Sequence, residues 1–177
     1  RNYKVKFITD KQLKNINQSY SFLFDKNNSM QVPSIKNGIR IRADISSYNS
    51  FVAYKAKKNT RNLIFNKTYK YKPEDYWFKI NETIDNSLKI EPNEFYLLKS
   101  KDKIRIPSNL AAEMIPYDTD IGEFRVHYAG FFDPGFGIGF KGSHAVLEIK
   151  TYEVPFMIEN GQNVARLMFE KLSNIPK

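Results

Sequence analysis

The chain has 177 residues, 41% hydrophobic and 15% aromatic, with 28 Lys and Arg against 19 Asp and Glu for a formal charge of +9. That length and balance fit one domain able to bury its own core, and they exclude disordered, fibrous and low-complexity classes. The absence of cysteine removes disulfides, thiol nucleophiles, iron–sulfur clusters and Cys-bound zinc, and two histidines leave a hard, oxygen-ligated ion such as Mg²⁺ as the metal to expect.

The N-terminus, Arg1-Asn2-Tyr3-Lys4, has neither a start methionine nor a signal-peptide core, so the expectation is a cytoplasmic fragment of something longer. Residues 1–36 read as a lead-in and 37–172 as the core of a single domain spanning 1–177. Asp10–Ile16 is the helix candidate, with Thr9 or Asp10 placed to cap its first turn. Short apolar or alternating runs follow at Tyr20–Phe24, Ile39–Ile45, Phe51–Lys57, Tyr76–Ile80, Glu94–Lys99, Lys103–Ile106, Ala111–Ile115, Glu123–Tyr128, Ala145–Lys150, Phe156–Ile158 and Ala165–Glu170. Most are too short for helices, and turn chemistry separates them at Asn37-Gly38, Pro92-Asn93, Pro107-Ser108-Asn109 and Asn160-Gly161. The architecture is therefore mostly β. No apolar run approaches bilayer length. Lys outnumbers Arg 21 to 7, a mixture that reads as AT-rich coding and solvated surface, so neither nucleic acid nor membrane is expected as a partner.

Six of the eight glycines (Gly122, Gly130, Gly135, Gly137, Gly139 and Gly142) fall within twenty-one residues, among His127, Tyr128, Phe131, Phe132, Asp133, Phe136 and Phe140. Such a stretch reads in two ways: a loop that lets a ligand touch main chain beneath stacking rings, or a bulge at a barrel corner. Gly137–Gly142 matches Gly-x-Gly-x-x-Gly, but a β run follows where the dinucleotide fingerprint needs a helix, so the match is incidental. His127 and His144 bracket the stretch as general-base candidates without a partner motif, and Ser143 lacks the elbow of a hydrolase nucleophile. Glu148 stands in the apolar run Ala145-Val146-Leu147-Glu148-Ile149. Alternation puts it with Val146 on one face, and Leu147 with Ile149 on the other. Pointing inward, that carboxylate must be paired or functional; pointing outward, it marks a wet face.

Ala129-Gly130-Phe131-Phe132-Asp133-Pro134-Gly135-Phe136-Gly137, followed by Ala145-Val146-Leu147-Glu148 and then Gly161-Gln162-Asn163-Val164-Ala165-Arg166-Leu167, resembles the dCTP deaminase and dUTPase superfamily. With Arg40–Asp44, Tyr54–Lys57, Asp75–Trp77 and Glu113–Thr119 added, it is similar to the second half of the long, two-repeat bacterial dCTP deaminases over nearly all of Ile39–Leu172. The resemblance implies a dUTPase-like distorted jelly roll or β-barrel, associating as a trimer or pseudo-trimer. It also implies hydrolytic deamination of dCTP to dUTP without zinc, Mg²⁺ being held by the triphosphate. Glu148 matches the buried glutamate that serves as general base, and burial beside Val146 would raise its pKa. Tyr128, Ala129 and Gly130 match the hairpin that reads the pyrimidine edge, Asp133 the neighbour of the 3′-hydroxyl, and Phe136 the ring against the deoxyribose.

Ile115–Ile121 holds neither the serine nor the arginines of the family's Arg-Ser-Ser-x-x-x-Arg loop, although Arg125 is a phosphate candidate on its chemistry. Arg166 stands where many dUTPases have glutamine, and the chain stops where relatives continue into a closing tail. The expectation is a half-site that a first-repeat domain completes. The alternatives are a bifunctional deaminase and pyrophosphatase or a dUTPase, in which Asp133 orients water, and a non-catalytic nucleotide-binding or scaffold half. A basic β-domain that binds polynucleotide is the last.

Overall fold

The computed structural model describes residues 7–46, 51–64, 66, 70–81, 85–116, 125–126 and 130–174, with the backbone alone described at 125–126. The first element, α1 (Asp10–Asn17), begins with a capping box. The Thr9 hydroxyl accepts from the Gln12 N–H, and the Gln12 side chain accepts from the Thr9 N–H. Asp10 then accepts from the N–H groups of Asn37 and Gly38 at 2.8 and 2.9 Å, tying the helix to the turn that launches the next long strand. Both turn residues have positive φ, as the Asn-Gly pair predicts.

The strands are β1 (Leu23–Phe24), β2 (Met30–Gln31), β3 (Ile39–Asp44), β4 (Ala53–Ala56), β5 (Trp77–Ile80), β6 (Ser87–Ile90), β7 (Phe95–Ile104), β8 (Leu110–Pro116), β9 (Arg125–Val126), β10 (Phe131–Phe132), β11 (Ser143–Lys150), β12 (Phe156–Glu159) and β13 (Asn163–Lys171), with a one-turn α2 (Pro73–Tyr76) before β5. The expected mostly-β architecture with short helices is the one observed.

The ten-residue β7 is the spine. One of its edges carries β11; the other is taken in turn by β4, β3 and β1, all antiparallel. From β3 the layer continues through β13 and β8 to β10, while β11 pairs with β9. Four residues separate β9 from β10, so the two ends of the layer are linked by a short stretch of chain. A separate ribbon, β12 with β6, adds Leu88, Ile90 and Ile158 to the interior.

Alternation fills the core. Tyr96, Leu98 and Ile104 of β7 face inward with Ala145, Leu147 and Ile149 of β11, Ile39 and Ile41 of β3, and Leu167 and Phe169 of β13. Within the lead-in, Leu13, Phe22, Leu23 and Phe24 are buried in the domain. Glu94–Lys99 and Lys103–Ile106, read apart across Ser100-Lys101-Asp102, are joined in one continuous strand, Phe95–Ile104. Its polar stretch is tolerated because Ser100 and Asp102 are buried with partners. The Ser100 hydroxyl donates to the Asp102 carbonyl and accepts from the Ala145 N–H, and Asp102 takes a bidentate pair from Arg42 at 2.9 and 2.6 Å.

Candidate active site

Two rows of side chains cross the outer face of the β7 layer. Register sets Tyr54, Leu97 and Glu148 side by side on β4, β7 and β11, and Asp44, Lys99 and Val146 side by side on β3, β7 and β11. The rows are two residues apart, so they share a face. Between them lies a groove of about 400 Å³, whose walls include Phe51, Tyr54, Leu97, Lys99 and Val146. The Phe51 and Tyr54 rings pack at a 52° tilt with centroids 4.8 Å apart, and Tyr54 meets Trp77 edge-on at 6.3 Å. The groove is apolar with one ammonium at its rim and a carboxylate, Glu148, at the end of the Tyr54 row.

Glu148 is thus placed as alternation predicts, on the face opposite Leu147 and Ile149. That face is the outer one. Val146 is 61% exposed and Glu148 half-buried, so the enclosure expected around the carboxylate is not made by its own strand. Ala145, Leu147 and Ile149 take the interior positions, leaving Glu148 to be covered by whatever lies over the face.

Asp44 lies in the Lys99 row, 7% exposed, with its carboxylate accepting from the Ser46 N–H and hydroxyl and paired to Lys99 Nζ at 3.0 Å. Burial alone would raise its pKa, but the bonds from Ser46 and Lys99 outweigh it and hold the carboxyl below the usual value. His144, on the same side of β11, sets Nδ1 2.7 Å from the Ser100 carbonyl. A carbonyl only accepts, so Nδ1 carries the proton and Nε2 is left as the basic nitrogen. Burial pushes this imidazole below its ordinary pKa. The charges of Lys99 and Lys103 push the same way, against the Ser100 bond and Asp44. Lys99, Asp44 and the groove walls were absent from the sequence-predicted site. The alternation of Phe95, Leu97 and Lys99 on one face was their signal.

The hairpin residues are distributed as follows. β9 ends opposite Ile149, one residue from Glu148, and Gly130 accepts from the Met114 N–H at 2.7 Å where β10 joins β8. Phe136 packs edge-on against Phe132 at 5.0 Å, and Asp133 is exposed in the intervening turn. The side chain of Arg125, all of Tyr128, Ala129 and His127, and residues 117–121 of the Ser/Arg-loop match lie outside the described residues. Arg166 lies on β13 opposite Ile115 and Arg40, away from the β11 row.

Two glycines of the cluster serve the fold. Gly137 has φ +72, and a Cβ there would stand 2.4 Å from the Ile104 carbonyl oxygen; at Gly142, φ +77, it would meet Lys103 at 2.9 Å. The close approach is to the chain's own β7, which favours the corner-turn reading of these two positions over the ligand-loop one. Turns occupy Pro134–Lys141 and β11 follows, so Gly137–Gly142 opens no helix.

The family model for the C-terminal domain of 2′-deoxycytidine 5′-triphosphate deaminase matches residues 9–177. The chain belongs to this family. The crystal structure of 2′-deoxycytidine 5′-triphosphate deaminase from Agrobacterium tumefaciens is similar to it at 34% identity and a TM-score of 0.87, over 98% of this deaminase-family chain. The match covers 50% of the Agrobacterium chain, so the family member described here spans about half that relative's length. A dUTPase of Staphylococcus bacteriophage 80alpha shows 10% identity and a TM-score of 0.48, over 86% of this chain and 89% of that one. No curated protein matches the chain.

Proposed function

We propose that this deaminase-family domain takes part in the hydrolytic conversion of dCTP to dUTP and ammonia, with Glu148 as general base. The observation that carries the reading is the position of Glu148: half-buried on the outer face of β11, in one row with Leu97 and Tyr54, which line an apolar groove of about 400 Å³. Water attacks C4 of the ring, Glu148 takes its proton, and the same carboxyl returns a proton to the departing amino group. The chain has no cysteine and so no Cys-ligated zinc of the kind other deaminases use to activate that water. Mg²⁺ enters on the triphosphate oxygens of the nucleotide. No group of three or more His, Asp or Glu side chains is gathered among the described residues.

Tyr128, Ala129 and Gly130 would then read the base, Phe136 would exclude a 2′-hydroxyl, and Asp133 would face the 3′-hydroxyl. Serine and arginine functions missing from Ile115–Ile121 would come from a first-repeat domain laid across the open face, in a trimeric or pseudo-trimeric arrangement. The test is ammonia release from dCTP with Mg²⁺, measured for the chain alone and mixed with that domain. Activity in the mixture, lost about a thousandfold in Glu148→Gln with dCTP affinity held within about threefold, is the expected result. Undiminished turnover in Glu148→Gln refutes the assignment of the base.

A further inference from the structure

The positive charge of the chain is not spread along it. Between Lys55 and Lys72, 18 residues hold seven basic side chains and no acidic one. The remaining 159 residues hold 21 basic against 19 acidic, an excess of two. A coding bias toward lysine would act everywhere, so it does not account for this concentration, and the surface reading drawn from the total has to be revised for this segment.

The segment runs from Lys55 on β4 through most of the arm between β4 and β5, whose last turn adds Glu74 and Asp75, and its described part is a built structure. The Tyr71 hydroxyl accepts from the Ile64 N–H at 2.6 Å, and the Tyr71 and Tyr76 rings meet edge-on at 5.7 Å. Lys57 donates to the Glu74 carbonyl at 2.6 Å while lying 4.7 Å above the Phe78 ring. Lys58 and Lys55 converge on the Glu94 carboxylate at 2.7 and 3.7 Å. A groove of about 490 Å³ separates Lys57, Lys58 and Arg61 on one limb from Glu74, Asp75 and Tyr76 on the other. Arg61, Lys70 and Lys72 are exposed.

The arm's base adjoins the candidate active site. Trp77 pairs with Ala56 where the arm begins, and its ring meets Tyr54, which stands in the same row as Glu148. A concentration of like charge repels itself and is stabilised by a polyanion. Its field extends about 10 Å at ordinary ionic strength and raises the local concentration of anionic ligands.

We propose that the β4–β5 arm captures the triphosphate of the nucleotide and steers it onto the face that bears Glu148. This rests on the proposed function, and it supplies cations to a half-site whose Ile115–Ile121 stretch has no arginine.

Inorganic tripolyphosphate and dCTP, titrated calorimetrically into the full chain at increasing NaCl, test the proposal, with fluorescence of Trp77, the single tryptophan, reporting whether the anion lands beside the arm. Both should bind, perturb Trp77 and weaken steeply with salt. Arg61→Glu/Lys70→Glu/Lys72→Glu should cost about tenfold or more at low salt. Lys26→Glu/Lys36→Glu/Lys141→Glu, equal in net charge and exposed elsewhere, should cost less than about threefold. The corresponding glutamine triple in the arm gives a smaller loss and guards against unfolding by charge reversal. Equal losses in the two reversed triples, binding without a Trp77 response, or no binding of tripolyphosphate would each overturn the proposal. Arm-dependent binding of oligodeoxythymidine, with tripolyphosphate and dCTP indifferent to the arm, would overturn it in favour of a nucleic-acid surface. Arm-dependent dCTP binding without ammonia release removes the deamination reading and leaves the capture surface standing. Deamination whose kcat/KM ignores the arm triple does the reverse.

Discussion

His144 illustrates what a sequence shows of a single residue and what it does not. From its neighbours it was a histidine bracketing a glycine-rich stretch. The bond to the Ser100 carbonyl and the nearby Lys99 and Lys103 arise from a single strand, β7, more than forty residues away. Because burial lowers its folded pKa below the ordinary value near 6.5, the unfolded chain binds the proton more readily, and stability rises with pH across that interval. Stability should therefore decline as pH falls through about 6.5 and level off below the folded pKa. His144→Asn keeps a donor for Ser100 and should flatten that segment in urea titrations between pH 7 and 5; an unchanged slope would refute the assignment. Asp44 shifts downward too, so its contribution is complete above the unfolded carboxylate pKa and is lost only as pH falls through its lower folded value. Asp44→Asn should alter the acid limb and leave the region near 6.5 untouched. Glu148 was legible at this scale in one respect: two-residue alternation grouped it with Val146, opposite Leu147 and Ile149. Whether that face was covered depended on surfaces beyond the strand.

Among the elements, β3, β4, β8, β11, β12 and β13 were readable because their apolar residues alternate or run together between turn residues. β7 was divided because Ser100-Lys101-Asp102 looks like a loop. Burial there depends on Arg42 reaching Asp102 from β3 and on Ser100 bonding Ala145 in β11, partners distant in sequence. Arg42→Met should cost about 2–4 kcal/mol, since the Asp102 carboxyl, 3% exposed, would lose its bidentate partner, whereas Arg42→Met with Asp102→Leu should recover most of it. Chemical denaturation of the two variants measures the difference, and equal stability of Arg42→Met and wild type would show the pair to be dispensable. The two-residue β2 and β10 were too short to leave a periodic signal, and β6 has a single alternation cycle. Gly137→Ala places a Cβ against the Ile104 carbonyl in a backbone conformation L-residues disfavour. It should lower stability by about 2–4 kcal/mol, read as a fall in Tm of roughly 5–15 °C.

At the scale of the whole molecule, the chain spans about half of its Agrobacterium relative, and its candidate base lies on an open sheet face. An exposed valine two residues from the candidate base, at the β11 end of the Lys99 row, has a simple physical use if a second domain is laid over it, because apolar area on that face gains its hydrophobic stabilisation on assembly. Val146 separates that use from folding. Its side chain points away from Leu147 and Ile149, so Val146→Asp should leave the Tm within a few degrees of wild type. In the assembled site, the same substitution would bury a second carboxylate beside Glu148 and set it against Lys99, in competition with Asp44 for that ammonium. Ammonia release from dCTP in the mixture with a first-repeat domain should fall by about a hundredfold or more, and co-elution of the two domains should weaken in parallel. Full activity and unaltered association in Val146→Asp would mean that the β11 face stays open to solvent, and the shared-site reading would then have to give way to one in which this domain closes over its own nucleotide.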